Sequence, residues 1–372
     1  MGRTGRREYD AVVVGAGLTG ATIAQRLTEQ GKRCLVLEKR PHIAGNAYDV
    51  EIDGIRVHRY GAHIFHTSDL RVWEYVSRFS DFNRYIHAPV ANYRGRIYNL
   101  PFNMNTFSRL WGVVSPEQAE SKLREQRIRY EHEPRNLEEQ ALGLAGRDIY
   151  ETLVRGYTEK QWGRPCTQLP AFLIRRLPFR FSYDNRYFSD PYQGIPSEGY
   201  TRLVERMLEG IELRLNTDYL SQRGDFDRLA ERIVFTGPID AFFAFSEGHL
   251  QYRTLRFEDE HLETPNYQGT AVMNFTDRET PYTRIIEHKH FCFGQQPNTI
   301  ITKEYPMEWT PEAEPYYPIN DERNTAILKR YQDKARRETR VSFCGRLGEY
   351  RYYDMDPAVG AALALADRLL KE

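Results

Sequence analysis

The segment Gly15-Ala16-Gly17-Leu18-Thr19-Gly20 stands between an apolar strand and a helical segment. In such a turn the first glycine allows the tight bend, the second lets the backbone approach a diphosphate, and the third lets the helix pack on the strand. Glu38, at the end of the next predicted strand, can accept hydrogen bonds from a ribose hydroxyl. The pattern predicts a dinucleotide site without choosing between FAD and a nicotinamide cofactor. The alternative is a glycine turn in a domain that binds nothing.

Two other sets of residues raise the question of a metal site. His63 and His66 are three residues apart, but Gly61 and Ile64-Phe65 indicate a turn entering a strand, and no third ligand is evident. The four cysteines form no close pair, so we expect no bound metal. Cys34 lies in an apolar run, as a buried thiol in a reducing cytoplasm would.

These residues need secondary structure to position them. Residues 9–38 read as a β-α-β unit, with strands Tyr9–Val14 and Arg33–Glu38 around the helix Leu18–Gln30. Helix caps at Ser115 and Asn136 mark a block of short helices, and residues 252–306 favour antiparallel strands. An Ala/Leu-rich helix is expected over Ala358–Leu370.

We therefore predict an α/β protein: a discontinuous, doubly wound dinucleotide-binding domain with an inserted helical domain and a twisted antiparallel β-sheet domain. The predicted boundaries are 1–85 for the first part of the dinucleotide-binding domain, 86–100 and 246–320 for the sheet domain, 101–180 for the helical domain, and 181–245 and 321–372 for the remaining parts of the dinucleotide-binding domain.

Composition narrows the class of protein. Lys plus Arg and Asp plus Glu are both 52, so no excess basic charge favours nucleic acid. Hydrophobic residues make up 40% and charged residues 28%, which is typical of a globular protein. No apolar run approaches the roughly 18 residues of a membrane span, and the basic start lacks the pattern of a signal peptide. A soluble cytoplasmic protein is expected.

Four further segments carry a family resemblance: Pro41 to Asp49, Tyr60 to Thr67, Gly156 to Gly163 and Gly345 to Asp354. They closely resemble UDP-galactopyranose mutases of the bacterial type, and the resemblance runs from about residue 8 to residue 370. One departure is Ala44-Gly45, where the family usually has two glycines.

The resemblance implies an isomerase that interconverts UDP-galactopyranose and UDP-galactofuranose with reduced FAD and no net redox change. In the family, flavin N5 attacks the anomeric carbon of galactose and expels UDP, the opened sugar is held as an iminium, and the ring recloses through the 4-hydroxyl. It further implies an external reductant such as NAD(P)H, a homodimer, and a role in cell-surface polysaccharide biosynthesis.

The resemblance also implies roles for individual residues. The expected catalytic residues are Arg176, Arg284 and His63. The expected substrate contacts are Arg176, Tyr187, Arg284, Tyr317 and Tyr352 at the diphosphate, Tyr157, Trp162 and Asn274 at the uridine, and His66, His87 and Asp354 at the sugar. The expected cofactor contacts are Gly15, Gly17, Thr19, Gly20, Glu38, Lys39, Gly45, Asn46, His63, Arg346, Tyr352, Asp354 and Met355.

Several alternatives stay open from the sequence. Tyr316 could take the role of Tyr317, and Arg346 with Asp354 could form a structural ion pair. Residues 167–178 match a mobile lid of the family but could be a rigid linker. At the level of function, the competitors are an FAD-dependent oxidoreductase of the amine oxidase or protoporphyrinogen oxidase type, and a flavoprotein that binds a nucleotide sugar or transfers electrons without turning anything over.

Overall fold

The computed structural model describes residues 7–174 and 179–372. Within these residues the strands are β1 Tyr9–Val14, β2 Cys34–Leu37, β3 Asp49–Ile52, β4 Ile55–His58, β5 Phe65–Thr67, β6 Val90–Tyr93, β7 Arg96–Asn99, β8 Tyr192–Gly194, β9 Glu212–Arg214, β10 Ala230–Phe235, β11 Tyr252–Leu262, β12 Val272–Phe275, β13 Arg284–Glu287, β14 Thr299–Glu308, β15 Tyr317–Pro318 and β16 Val341–Phe343.

The helices of the same ranges are α1 Leu18–Glu29, α2 Leu70–Val76, α3 Met104–Trp111, α4 Pro116–Gln126, α5 Leu137–Ile149, α6 Arg155–Trp162, α7 Tyr200–Met207, α8 Arg223–Leu229, α9 Ile239–Phe242, α10 Glu322–Ala335, α11 Gly345–Gly348 and α12 Met355–Leu369. A π-helical turn, Tyr150–Val154, joins α5 to α6, and short 3₁₀ turns include Gly45–Ala47, Ala171–Ile174 and His288–Cys292.

A five-stranded parallel sheet forms the first layer, with strand order β16-β10-β1-β2-β9. Strands of such a sheet are covered on both faces, which explains the apolar runs of residues 11–14 in β1 and 34–37 in β2. Helices α1 and α12 pack against each other beside this sheet, with Ala362 and Ala366 fully buried. The predicted β-α-β unit and the α/β fold class are confirmed.

The second sheet has seven strands in the order β15-β11-β14-β13-β12-β6-β7. Neighbouring strands are antiparallel as predicted, except that β12 and β6 run parallel. The exception arises because β6 and β12 lie on either side of the long helical insertion, and parallel neighbours require a long connection. The domain boundaries given above stay a prediction.

Two of the helix caps predicted from the sequence stand at the starts of their helices. Ser115 Oγ accepts a hydrogen bond from Gln118 N, and the Gln118 side chain accepts one from Ser115 N, which is the predicted capping box. Asn136 caps α5 in a similar way through Glu139 N. Helix α12 begins three residues earlier than predicted, at Met355, because Pro357 falls in the first turn, where a missing N–H costs nothing.

Candidate active site

The turn between β1 and α1 has the backbone geometry of a phosphate-binding loop. Gly15 has φ +103°, and a Cβ on Gly20 would lie 1.9 Å from the Gly15 carbonyl oxygen. Gly17 packs backbone to backbone against Gly45, whose Cβ would lie 3.2 Å from Gly17 Cα. Helix α1 begins at Leu18, so its free N–H groups face the cavity in front of this turn.

That cavity, here called the nucleotide cavity, has a volume of about 420 Å³. It is lined by most of the predicted cofactor residues: Gly15, Gly17, Thr19, Gly20, Glu38, Lys39, Gly45, Asn46, His63, Arg346, Asp354 and Met355. Glu38 is buried and accepts hydrogen bonds from Ala16 N and Arg40 N, both at 2.9 Å. Each carboxylate oxygen has a second lone pair, so Glu38 can still accept from ribose hydroxyls.

One wall of the nucleotide cavity, the loop of residues 309–315, was not predicted from the sequence. Glu314 from this loop pairs with Arg40 at 2.7 Å and with Lys39 at 3.6 Å, so Lys39 lies at the rim as an ion-pair partner. Tyr252 also lines the cavity, and its hydroxyl is buried without a hydrogen-bond partner among the described residues.

Ala44 lies in the left-handed region, with φ +68°, and is 1% exposed. A residue with a Cβ pays roughly 1–2 kcal/mol in this conformation, which explains why glycine is usual here. The Ala44 amide donates to Ala16 O at 2.9 Å and holds the 44–45 segment against the phosphate turn. The departure seen in the sequence is thus accommodated by the backbone.

A second cavity of about 590 Å³, here called the substrate cavity, opens beside the first. Five residues line both cavities: Asn46, His63, Arg346, Asp354 and Met355. All five were predicted from the sequence as cofactor contacts. They form the border at which a group bound in one cavity would meet a group bound in the other.

The remaining predicted substrate residues that the structure describes all line the substrate cavity: His66, His87, Tyr157, Trp162, Tyr187, Asn274, Arg284, Tyr317 and Tyr352. Tyr352 is on the substrate side only, although the sequence assigned it to both cofactor and substrate. Arg176 falls outside the described residues, as do residues 175–178 of the predicted lid. Leu173 and Ile174, from the described part of that segment, line the cavity.

Arg284 is the cation at the centre of the substrate cavity. Its Nη2 donates to the Tyr157 hydroxyl at 2.7 Å, and its Nε lies 3.3 Å from Glu304 Oε1. Glu304 is the direct cross-strand neighbour of Arg284 and is only 1% exposed. Burial raises the pKa of Glu304, and the charge of Arg284 opposes that rise. The pair keeps one guanidinium fixed while other N–H groups stay available for an anion.

Glu304 was missed in the sequence analysis. The available signal was a carboxylate within strand β14, but nothing local connects it with Arg284, which lies on the neighbouring strand. A buried carboxylate without a partner would be costly, so its presence in β14 could have prompted a search for a cation.

The histidines of the site are held in defined states. His63 Nδ1 donates to Gly61 O at 2.8 Å, so its Nε2 is left as an acceptor. Burial lowers the pKa of His63 to about 4, with smaller contributions from Arg346 and Arg284. Burial also lowers the pKa of His87 to about 3. Both rings are therefore neutral at pH 7, and His63 can accept a proton or hydrogen bond at the border of the two cavities.

His66 is oriented differently from the other two. Its Nδ1 donates to Asp190 at 2.8 Å, and its ring stacks on Phe188 with 3.6 Å between centroids. Asp190 and Phe188 were not singled out in the sequence. They fix the imidazole at the wall of the substrate cavity.

Tyr187, Tyr317 and Tyr352 line the same cavity as Arg284. The rings of Tyr317 and Tyr352 stack with 5.9 Å between centroids, and Tyr187 meets the edge of His87. Burial raises the pKa of Tyr352 to about 12, so its hydroxyl is protonated and can donate. Tyr316 also lines the cavity but is more deeply buried than Tyr317. The structure leaves both tyrosines available, and the choice between them stays a prediction.

The residues predicted for the uridine end lie on α6 and β12. Tyr157 and Trp162 lie on α6, and Asn274 lies on β12. Asn274 Oδ1 is buried without a hydrogen-bond partner among the described residues, and is therefore an unpaired acceptor.

The ion pair considered for Arg346 and Asp354 does not form. Arg346 donates instead to the carbonyl oxygens of Tyr353 at 2.8 Å and Tyr316 at 3.4 Å. Asp354 caps α12 by position but its side chain makes no cap hydrogen bond. Both side chains face the two cavities, which the ion-pair alternative did not predict.

Two general features of the described ranges bear on function. No group of three His, Cys, Asp or Glu residues there could hold a metal ion. None of the helices found there combines the length and the apolar character that crossing a membrane requires.

Acid should destabilise the fold through its buried histidines. The folded pKa values of His63 and His288, both about 4, lie below the ordinary value of about 6.5. The unfolded chain therefore takes up more protons between about pH 4 and 6.5. The contribution of these histidines to the free energy of unfolding is fully present above about pH 6.5 and is lost as the pH falls towards about 4. We expect calorimetry to give a Tm several degrees lower at pH 5 than at pH 7. A His288→Gln variant should show a smaller loss than a variant of the exposed His132, and equal losses would contradict the assignment.

Comparison with known proteins gives the family. Residues 152–352 match the family model described as UDP-galactopyranose mutase, and residues 13–79 match a model of an NAD(P)-binding Rossmann-like domain. The chain is 39% identical over 366 residues to a probable UDP-galactopyranose mutase of Klebsiella pneumoniae, covering 96% of this chain and 94% of that protein. It is 37% identical over 369 residues to a dTDP-fucopyranose mutase of Escherichia coli, covering 97% and 98% of the two chains.

A solved structure described as reduced UDP-galactopyranose mutase superposes with a TM-score of 0.78 at 17% identity, covering 98% of this chain and 94% of that one. At this level of identity the superposition shows the fold alone. The sequence matches extend over nearly the whole chain and include both cavities. This chain belongs to the UDP-galactopyranose mutase family.

Proposed function

We propose that this protein is an FAD-dependent isomerase that interconverts UDP-galactopyranose and UDP-galactofuranose. The observation that carries the proposal is the shared border of the two cavities, where a dinucleotide site with a phosphate turn meets a cavity lined by Arg284 and tyrosine hydroxyls. A flavin that extends from the nucleotide cavity would meet a sugar there. When bound and reduced, it would supply an electron-rich nitrogen as the nucleophile of the reaction.

The residues of the substrate cavity suit this reaction. Charge grows on the diphosphate as the bond to the sugar breaks, and a fixed guanidinium with protonated tyrosine hydroxyls stabilises that charge in a partly dry site. We assign this role to Arg284, Tyr317 and Tyr352, together with Arg176. Neutral His63, with its free Nε2, is suited to accept a proton at the border.

We assign the other end of the cavity to the nucleoside. Tyr157 and Trp162 offer flat rings to uracil and ribose, and the unpaired acceptor of Asn274 suits an N–H or hydroxyl donor. His66 and His87 line the remaining wall, where the galactose ring would lie.

We also propose the setting in which the protein acts. All four cysteines are free and three are buried, which supports a reducing compartment such as the cytoplasm. We infer that NAD(P)H or a similar external reductant keeps the flavin reduced, that the protein is a homodimer, and that its product enters cell-surface polysaccharide biosynthesis. The last three statements derive from the family resemblance.

The substrate is tested directly by product analysis. The purified protein, reduced under nitrogen, is incubated with UDP-galactofuranose or dTDP-fucofuranose, and the pyranose product is measured by chromatography. We expect conversion of UDP-galactofuranose to exceed that of the dTDP sugar. The second substrate is included because a dTDP-fucopyranose mutase is 37% identical to this chain. The reverse preference would move the assignment to that sugar, and no conversion of either would overturn the proposal.

A further inference from the structure

The two walls of the proposed uridine diphosphate site come from distant parts of the chain. Tyr157 and Trp162 lie on α6, whereas Asn274 and Arg284 lie on β12 and β13. The walls meet in the hydrogen bond from Arg284 to the Tyr157 hydroxyl. The shape of the site therefore depends on how α6 is held against the turn of residues 275–283, here called the β12–β13 turn.

Backbone contact fixes one end of this junction. A Cβ on Gly156 would lie 2.2 Å from the Thr276 carbonyl oxygen, so only glycine allows the helix to come this close. The Thr276 hydroxyl donates to Thr152 O at 2.8 Å. These contacts hold the start of α6, but they do not fix the orientation of the rest of the helix over the β12–β13 turn.

Lys160 fixes the other end. Its Nζ donates to three carbonyl oxygens of the β12–β13 turn: Phe275 O at 2.8 Å, Thr280 O at 3.0 Å and Tyr282 O at 3.0 Å. An ammonium has three N–H groups, so all of its donors are used. No carboxylate among the described residues lies within ion-pair distance of this ammonium. The Lys160 ammonium instead makes charge-assisted hydrogen bonds to the carbonyl oxygens of the β12–β13 turn.

We propose that Lys160 is a positioning residue for the uridine diphosphate site, acting through the three carbonyls of the β12–β13 turn to set α6 relative to Arg284 and Asn274. The inference rests on the proposed function. It assigns to Lys160 no contact with substrate. Its effect on binding passes through Tyr157 and Trp162, which lie three residues before and two residues after it on the same helix.

The protonation state of Lys160 offers an independent test. Burial lowers the pKa of Lys160 to about 8, while Asp277 and Glu279 oppose that change. A neutral amine has two N–H groups for three carbonyls, so the junction should loosen as the pH rises through 8. Of the acidic groups near the junction, Glu159 pairs with Arg155 and Arg278, Glu279 pairs with Arg94, and Asp277 accepts hydrogen bonds from the backbone N–H and hydroxyl of Thr280.

The chain contains a matched control in Lys289. Its Nζ likewise donates to three carbonyl oxygens, of Pro265, Gln296 and Asn298, at 2.8, 2.5 and 3.0 Å. Lys289 lines neither of the two cavities. Loss of either ammonium removes the same kind of contact, but only Lys160 joins the walls of the site.

The experiment measures binding of UDP to the flavin-loaded protein by calorimetry, together with Tm and flavin content. We expect Lys160→Met to raise the Kd for UDP at least tenfold, Lys289→Met to leave it within twofold, and both to lower Tm to a similar extent. Lys160→Arg should recover part of the affinity because it keeps the charge and the donors. A Kd for Lys160→Met within twofold of the wild type, or an equal loss in Lys289→Met, would overturn the inference.

A second measurement tests the inference even if Lys160→Met does not fold. The Kd of the wild-type protein for UDP should rise threefold or more between pH 7 and pH 9, and Lys160→Arg should show no such rise. A flat wild-type profile would overturn the inference. A wild-type protein that binds no UDP at any pH would overturn the proposed function itself, whereas normal wild-type binding with unaffected variants removes only the role of Lys160.

Discussion

Replacing Arg284 with alanine should lower kcat by about 10²–10³-fold or more while the flavin stays bound. The guanidinium is the fixed cation of the substrate cavity and lines no part of the nucleotide cavity. Loss of such a group removes stabilisation of the charge that develops on the departing diphosphate. Steady-state kinetics with UDP-galactofuranose, and the visible spectrum of the purified variant, measure the two effects separately.

The variant needs controls because Arg284 also neutralises buried Glu304. Removing one member of a buried pair costs roughly 3–5 kcal/mol when the other is left charged, although the partial exposure of Arg284 reduces this figure. A double variant, Arg284→Ala with Glu304→Gln, should regain stability but not turnover. Arg256→Ala, which removes an exposed arginine of the same sheet, should leave both unchanged. Turnover within twofold of the wild type in Arg284→Ala would refute the site assignment.

Replacing Gly20 with alanine should give a protein that is purified without its flavin. The added methyl carbon would lie 1.9 Å from the Gly15 carbonyl oxygen, so the phosphate turn must move away from α1. Overpacking of this kind costs about 1–3 kcal/mol, which corresponds to roughly 5–150-fold in affinity if it is spent on the bound state. Flavin content and the Kd for added FAD, measured by fluorescence, test this expectation.

Gly360→Ala is the matched control for that experiment. Gly360 lies in α12, whose first turn lines the same cavity, and its Cβ would meet only the Val72 side chain at 3.6 Å, an ordinary contact. Alanine is the better helix former, so this variant should keep its flavin and gain slightly in stability. Equal loss of flavin from both variants would show that the effect is not specific to the turn.

The fold could be predicted where its signals are local. The β-α-β unit was placed to within a residue or two because a buried strand, a glycine turn and an amphipathic helix each leave a pattern within about 30 residues. The caps at Ser115 and Asn136 were found for the same reason. The parallel pairing of β6 with β12 was not predicted, because it depends on which edges meet across the helical insertion.

The same distinction between local and long-range signals applies to the site. The residues that line both cavities were predicted from the sequence, because both their resemblance to the family motifs and the chemistry of their side chains pointed to them. Glu304, Asp190 and Lys160 were not given roles, because each works through a partner that is far away in the chain. A carboxylate or ammonium reveals its function only when the fold shows what it faces.

Ala44 is an instructive intermediate case. The sequence identified it as a departure from the family pattern. In the structure, Ala44 adopts a left-handed backbone conformation, and its methyl group is buried. The sequence could not tell that the backbone retains the glycine-like conformation. That outcome depends on the hydrogen bond from Ala44 to Ala16, a contact with the phosphate turn 28 residues earlier.

The most direct test of the central claim follows flavin and sugar together. The protein is divided under nitrogen into an oxidised and a dithionite-reduced sample, the excess reductant is removed, and UDP-galactofuranose is added while the flavin spectrum and the sugar products are recorded. We predict many turnovers to UDP-galactopyranose in the reduced sample, a flavin that is still reduced at the end, and no conversion in the oxidised sample. Stoichiometric oxidation or reduction of the flavin by substrate, or equal conversion in both samples, would contradict an isomerase that requires reduced flavin without consuming it.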